Sequence, residues 1–162
     1  MSIVIYGAPM QSLENRLPPP LLFLVVAALM DGASFVAPSM PVGPLVRWGV
    51  IAVFFVLAGA TGPLAIAAFN SADTTINPVA IDKASALVTA GPFRFTRNPM
   101  YVSMTALLFA WAAWLASPWT LLGPLAFLAF ITRFQIIPEE RVMRLKFGAD
   151  FAAYAGRVRR WL

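Results

Sequence analysis

The chain has 162 residues, of which 60% are hydrophobic and only 12% are charged. A soluble domain usually carries about 25% charged residues, so this chain has too few to face water on all sides. It has no cysteine and no histidine, which excludes disulfides, Cys/His zinc sites, thiolate nucleophiles and His-based triads, and we predict no metal site. The net charge is +5. Because the basic residues flank apolar runs, we expect anionic membrane lipids as partners and no nucleic acid.

The first two apolar stretches long enough to cross a bilayer are residues 21–37 and 48–69. Asp31 interrupts the first of them. An ionisable residue inside a span is a functional candidate, but the helix could also end early and leave Asp31 near the far surface. The second stretch contains Gly59, Gly62 and Pro63, so we expect a kink or a close helix contact there.

A helical hairpin is predicted next. No charge occurs from Asn98 to Thr132, about 35 residues, which is too long for one span of about 20 residues and suits two. Ser117-Pro118 is the natural break, because proline disfavours helix in the preceding residue and suits the first turn of a new helix. We therefore predict spans 100–116 and 119–137, with Trp111, Trp114 and Trp119 as interfacial aromatics around the turn.

The sequence thus predicts an all-α polytopic membrane protein with about four transmembrane helices, in which residues 1–162 form a single integral membrane domain. Four spans place residues 1–20, 70–98 and 138–162 on one side. That side holds ten basic residues: Arg16, Lys83, Arg94, Arg97, Arg141, Arg144, Lys146, Arg157, Arg159 and Arg160. The other side has only Arg47. The positive-inside rule then places both termini in the cytoplasm, and we expect a multi-pass protein of a bacterial inner membrane.

An amphipathic C-terminal helix is expected on the cytoplasmic face. Pro138-Glu139-Glu140 is typical of a helix start. Apolar residues then recur at helical spacing opposite a basic face, and we expect Gly148 to divide the helix into two pieces. The apolar positions are Val142, Leu145, Phe151, Tyr154 and Val158, and the basic ones are Arg141, Arg144, Lys146 and Arg157.

Two polar constellations stand out at this face. In the run from Gly91 to Tyr101, Arg94 and Arg97 precede a helix start, which suits an anion site or simple anchoring at the membrane surface. The adjacent carboxylates Glu139 and Glu140 need cations near a low-dielectric boundary. The expected partners are Arg133, Arg141 and Arg144, or a bound cation or ammonium group. A third polar stretch, Asn70 to Asn77, either binds a ligand or caps and turns the chain.

Together the run Gly91-Pro-Phe-Arg-Phe-Thr-Arg-Asn-Pro-Met-Tyr101, the hairpin, Glu139-Glu140, Phe147-Gly148 and Tyr154 resemble the isoprenylcysteine carboxyl methyltransferase family and the related phosphatidylethanolamine N-methyltransferases. The resemblance covers about residues 85–162. The family pattern is Arg-His-Pro-x-Tyr, two hydrophobic helices and a Glu-Glu pair. Its histidine position is Asn98 here, and asparagine can hydrogen-bond but cannot titrate.

The resemblance implies that the chain binds S-adenosylmethionine and passes the methyl group to a lipophilic acceptor at the cytoplasmic membrane face. It implies that Arg97, Asn98, Pro99, Tyr101, Glu139 and Glu140 line the cofactor pocket. A carboxylate acceptor needs no base, whereas an amine or thiol acceptor must lose a proton, and Glu140 or Tyr101 is then the expected catalytic residue.

Two other functions remain open at this point. Some membrane reductases are similar over the C-terminal helices but use NADPH, which lacks the ammonium group that a Glu-Glu pair suits. A non-catalytic membrane scaffold would pair Glu139 and Glu140 only with Arg133, Arg141 or Arg144. A transporter is weaker, because Asp31 is the one charge within a span. The acceptor, the oligomeric state and the pathway are not defined by the sequence.

Overall fold

A computed structural model of the chain describes Glu14, residues 16–72 and residues 86–162. Within this part of the chain there are five α-helices, which we number α1 to α5. Their bounds are Pro19–Val36 (α1), Pro44–Ser71 (α2), Pro99–Leu115 (α3), Leu122–Ile131 (α4) and Ile137–Arg157 (α5). The same residues contain no β-strand, only an isolated bridge between Thr96 and Arg159. The prediction of an all-α polytopic membrane protein is confirmed.

Prolines set the helix starts. Proline occupies the first helical position of α1, α2 and α3, where its missing N–H costs nothing and its fixed φ suits the first turn. The hairpin turn lies at the expected break. Ala116 has a left-handed backbone with φ 49°, Ser117 is extended, and a 3-10 turn over Pro118–Leu121 leads into α4. Trp111, Trp114 and Trp119 are exposed around this turn.

Helices α4 and α5 are continuous, joined by a π-helical segment at Thr132–Ile136. We expected the fourth span to end at residue 137 and a new helix to start at Pro138. The backbone instead stays helical, because the wider π turn accommodates a proline that cannot donate the usual backbone hydrogen bond. Gly148, with φ 48° and ψ −118°, interrupts the helical backbone within α5, as expected for a residue without a Cβ.

Three helical stretches in the described residues are long and apolar enough to cross a membrane: Pro19–Val36, Pro44–Ser71 and the apolar part of Pro118–Arg157. The 17-residue α3 is also apolar but shorter. Large hydrophobic side chains face outward along α1 and α2, including Leu29, Phe35 and Val56, which are 68%, 82% and 71% exposed. Exposed apolar surface on this scale requires lipid rather than water around the helices.

Two apolar clusters hold the helices together. The first joins α1, α3 and α4 and buries Met30, Tyr101, Leu108, Phe127 and Ile131. The second packs the end of α5 against α2 and the segment before α3, through Ala65, Val88, Phe93, Phe151 and Tyr154. The half of α5 after Gly148 therefore packs on protein. Leu145, which we placed on the apolar face of this helix, is 84% exposed.

Helices α2 and α3 make the most extensive helix contact, and Gly62 permits it. A Cβ at Gly62 would lie 2.6 Å from Ser103 Oγ, whereas a Cβ at Gly59 would meet nothing within 4 Å. Ser103 Oγ in turn donates to the carbonyl of Ala58 at 3.0 Å. This carbonyl lies beside the gap in the backbone hydrogen bonds of α2 that Pro63 causes, because proline has no N–H. The close contact that we expected from this glycine-rich stretch therefore involves Gly62.

Gly62→Ala is expected to destabilise the protein by about 1–3 kcal/mol, because Ser103 must move and lose its bond to Ala58. The matched control is Gly59→Ala in the same helix. It should be neutral or stabilise by up to about 1 kcal/mol, since alanine favours helix over glycine. Thermal unfolding of both variants in detergent measures the difference, and equal melting temperatures would contradict this account of the α2–α3 contact.

The basic residues gather at one end of the helices. Gln135 Nε2 donates to the carbonyl of Leu17 just before α1, and Phe93 packs on Phe69 near the end of α2. The start of α1, the end of α2, the start of α3 and α5 thus share this end. Arg47 lies at the other end, where its guanidinium donates to the Trp114 carbonyl and lies 4.8 Å from the Trp114 ring.

Candidate active site

The hairpin brings the two polar constellations together. Because α3 and α4 run antiparallel from the turn at Ala116, the start of α3 lies beside the continuation of α4 into α5. Tyr101 Oη, in the first turn of α3, donates to Glu139 Oε1 at 2.6 Å. Arg97, just before α3, pairs with Glu140 at 2.7 Å. Residues about 40 positions apart in sequence thus form one polar cluster at the basic end of the molecule.

Glu140 is held between two arginines. Arg97 donates to Oε1 through Nε and Nη2, and Arg160 donates through Nε to Oε1 and Nη2 to Oε2. The Glu140 and Arg97 side chains are only 10% and 11% exposed. Burial opposes ionisation, but the hydrogen bonds and charges of Arg160 and Arg97 outweigh it and hold the pKa of Glu140 below its ordinary value. This carboxylate is therefore ionised and saturated with donors.

Glu139 has a different environment. Its only hydrogen bond among the described residues is the one from Tyr101. Burial raises the pKa of Glu139 to about 7; the bond from Tyr101 opposes this rise, and the negative charge of Glu140 adds to it. A carboxylate with a pKa near 7 and one free oxygen can accept a proton or face a cationic group. The structure thus separates the two glutamates chemically.

Arg97, Asn98 and Pro99 build the start of α3. Arg97 Nη1 also donates to the carbonyls of Ala155 and Val158, at 3.0 and 2.5 Å, so the guanidinium makes four hydrogen bonds within the protein. Asn98 Nδ2 donates to the carbonyl of Arg160 at 2.9 Å. Pro99 is buried at the first helical position, and no side chain caps the helix. The backbone N–H groups of Met100 and Tyr101 therefore lack partners within the helix.

The prediction that Arg133, Arg141 and Arg144 pair with the two glutamates is wrong. Arg133 and Arg141 pair with Glu14 instead, at 3.1 and 3.3 Å. The Arg144 guanidinium lies 5.8 Å from the Phe151 ring centre. Closeness along the helix therefore did not decide which cations pair with the two glutamates. The partners of Glu140 come from segments that are distant along the chain.

Arg160 is the site residue that the sequence analysis missed. We predicted it only as one of the basic residues on the cytoplasmic side, although the adjacent pair Arg159-Arg160 is the most basic part of the C-terminal segment. Thr96 was also missed. It is fully buried, and its Oγ1 donates to the carbonyl of Arg160 at 3.1 Å. Gln135, one turn before Glu139, is 1% exposed, and its Oε1 has no partner among the described residues.

Two further sequence candidates, Asp31 and Asn70, have no hydrogen bond or ion pair to this cluster among the described residues. Asp31 does not end its helix, because α1 continues to Val36; its backbone carbonyl accepts from Ser34 Oγ at 2.7 Å. Asn70 lies in the last turn of α2. Asp73, Thr74, Thr75 and Asn77, together with Lys83, are outside the described residues. The cluster around Glu139 and Glu140 is therefore the candidate active site.

An apolar cavity of about 990 Å³ adjoins this end of the molecule. One wall is α2, with Leu57, Leu64 and Ala68, and the other is the segment 87–96. Thr96 and Leu162 also line it, and Arg94 is the charged side chain among its described lining residues. Its size suits a small-molecule or lipid-chain site. Thr96 connects the cavity to the cluster, because it lines the cavity and donates to the carbonyl of Arg160, whose side chain pairs with Glu140.

Comparisons with known proteins give two matches. An uncharacterized protein of Haemophilus influenzae is 41% identical over 63 residues, which are 39% of this chain and the whole of that protein. The profile of the phospholipid methyltransferase family matches residues 46–150, well over half of the chain. The match takes in most of α2, all of α3 and the Glu139-Glu140 pair. The chain therefore belongs to the phospholipid methyltransferase family.

Proposed function

We propose that this protein transfers a methyl group from S-adenosylmethionine to a lipophilic acceptor. Membership of the family implies a methyltransferase acting on a lipid-like substrate. The observation that carries the cofactor assignment is the convergence of Arg97, Asn98, Pro99, Tyr101 and the Glu139-Glu140 pair at one end of a membrane-embedded helix bundle. All six residues that the family resemblance implies lie in or beside this cluster.

The groups that remain available fit the cofactor. S-adenosylmethionine supplies an electrophilic methyl group on a sulfonium centre, and also carries an ammonium and a carboxylate. The Glu139 carboxylate suits the positive groups. The uncapped N–H groups of Met100 and Tyr101 at the start of α3 suit the carboxylate. Both oxygens of Glu140 and four of the five N–H groups of Arg97 are already bonded within the protein, so we assign these two residues to holding the site together.

In this proposal Glu139 is the catalytic carboxylate, and Tyr101 orients it. We favour Glu139 over Glu140 as base, because a carboxylate bonded to two guanidinium groups is a poor proton acceptor. Glu139 also favours an acceptor that must lose a proton, such as an amine, over an anionic carboxylate that it would repel. The apolar cavity beside α2 is our candidate for the lipophilic part of the acceptor.

The site would face the cytoplasm. The basic residues of the described part, apart from Arg47, lie at or near the end that holds the site, and the positive-inside rule places such an end in the cytoplasm. Both termini would then be cytoplasmic. The exposed basic residues there, including Arg94 and Arg157, would contact anionic lipid headgroups.

The first test is calorimetric titration of the purified protein in detergent with S-adenosylhomocysteine and, separately, with NADPH. We expect saturable binding of the first ligand and none of the second. The Glu139→Ala/Glu140→Ala double variant should lose binding, and circular dichroism must show that it is folded. Arg144→Ala is the matched control, because this exposed arginine of the same helix lies over the Phe151 ring and has no ion pair with Glu139 or Glu140.

Binding of NADPH alone would support the membrane reductase. Binding of neither ligand by folded protein would support the non-catalytic scaffold. The scaffold predicted pairing of the two glutamates with Arg133, Arg141 or Arg144, whereas Arg133 and Arg141 pair with Glu14. This difference is a reason to prefer the enzyme.

A further inference from the structure

The residues after α5 form a tail, residues 158–162, that lies along the start of α3. The N–H of Arg97 donates to the carbonyl of Arg159 at 2.9 Å. The carbonyl of Arg160 accepts from Thr96 Oγ1 and from Asn98 Nδ2, at 3.1 and 2.9 Å. With the bond from Arg97 Nη1 to the carbonyl of Val158, the tail shares four hydrogen bonds with the segment that enters the candidate site.

The Arg160 side chain crosses from this tail to α5. Its Nε and Nη2 donate to the two oxygens of Glu140 at 3.0 and 2.8 Å. This is the two-pronged geometry in which arginine binds a carboxylate most strongly. Arg97 shares the same carboxylate from the other segment. Arg160 thus connects the tail, the start of α3 and the first turn of α5.

The next residue connects the tail to the cluster around Tyr101. Trp161 packs against the core cluster that contains Tyr101 and Ile136. Its indole N–H donates to Thr132 Oγ1 at 3.2 Å, in the π-helical segment before Glu139. The position of the tail is therefore coupled to both helices that carry the Tyr101–Glu139 pair.

We infer that Arg160 is a positioning residue of the cofactor site, which holds the start of α3 and the Glu139-Glu140 turn at the spacing that ligand binding requires. The inference rests on the proposed function. It does not require the acceptor to be known, because its test measures the binding of S-adenosylhomocysteine alone. Loss of the Arg160 guanidinium would leave Arg97 as the remaining ion-pair partner of Glu140. It would also remove the ion pair that connects the tail to α5.

A pH-dependent loss distinguishes positioning from general stabilisation. The charged groups that face Glu140 are Arg97, Arg160 and Glu139. Arg160 lowers the pKa of Glu140, so its removal raises that pKa and lets Glu140 take up a proton at a higher pH. The affinity of an Arg160 variant for the cofactor should then fall further below that of the native protein as the pH decreases.

The experiment is titration of the full chain in detergent with S-adenosylhomocysteine at pH 8, 7 and 6. We expect Arg160→Ala to bind about tenfold more weakly at pH 8 and to lose more at pH 6. Arg160→Lys, which keeps the charge without the two-pronged geometry, should recover part of the affinity. Arg157→Ala removes an exposed arginine at the end of α5 and should bind like the native protein at each pH.

The possible outcomes separate the two proposals. If the native protein binds no S-adenosylhomocysteine, the proposed function fails. If the native protein binds it, and folded Arg160→Ala and Arg160→Lys bind it as tightly as the native protein at all three pH values, the positioning role is wrong. If Arg160→Ala does not fold, Arg160→Lys decides alone, and unchanged affinity in that variant overturns the inference.

Discussion

Glu139→Gln is expected to reduce the rate of methyl transfer by about 10²–10⁴-fold, the usual contribution of a positioned acid–base group. The amide cannot accept the proton that an amine acceptor loses, although it retains the shape of the carboxylate. Affinity for S-adenosylhomocysteine should fall much less, by about tenfold at most, the loss expected for one hydrogen bond to a charged group. Incorporation of labelled methyl groups into vesicles of a bacterial lipid extract measures the rate.

The same assay predicts a pH profile. A base must be ionised to act, and burial raises the pKa of Glu139 to about 7. Activity should therefore rise with pH through about 7 and fall below it. Tyr101→Phe removes the hydrogen bond that lowers the pKa of Glu139, so its profile should move to higher pH. A rate that is constant from pH 6 to 8, or a Glu139→Gln variant as active as the native protein, would contradict the assignment of Glu139 as base.

The largest effect on stability is expected from Glu140→Ala. This change leaves Arg97, which is 11% exposed, without its carboxylate partner, and removes the ion pair of Arg160 as well. Breaking a buried ion pair by removing one partner costs about 3–5 kcal/mol, because a buried charge is left uncompensated. Thermal or denaturant unfolding in detergent measures the loss.

Glu14→Ala is the matched control for this prediction. Glu14 also pairs with two arginines, Arg133 and Arg141, but their side chains are 40% and 56% exposed. Ion pairs this accessible to solvent contribute about 1 kcal/mol or less. Equal destabilisation by the two variants would show that the buried arrangement around Glu140 has no special weight.

Much of the fold could be predicted because its causes are local. The apolar runs are long enough to require membrane spans, and proline favours a helix start because it suits the first helical position. Ser117-Pro118 therefore marks the hairpin turn, and Gly148 marks the interruption of α5. The hairpin in turn accounts for the approach of Tyr101 to Glu139. The six expected pocket residues came from the resemblance to the methyltransferase family, and Arg160 and Thr96 were not among them.

The pairing within the site could not be predicted in the same way. Arg133, Arg141 and Arg144 are closer in sequence to Glu140 than Arg97 or Arg160, yet the structure joins Glu140 to the latter two. Partner choice depends on how far each helix is rotated and where the tail returns, and neither is a local property. The continuity of α4 and α5 was missed for a related reason, since a π turn resolves the conflict at Pro138 only within a packed helix.

The amino-acid sequence by itself thus determined the membrane class and the helix starts. The membrane class follows from the composition, and the helix starts and interruptions follow from the restricted backbone of proline and the free backbone of glycine. Only the tertiary structure decided that Glu140 is neutralised by Arg97 and Arg160 while Glu139 is left to Tyr101. Burial and distance set the pKa of a carboxylate, and both are created by packing. Two adjacent and identical residues therefore acquire different chemistry.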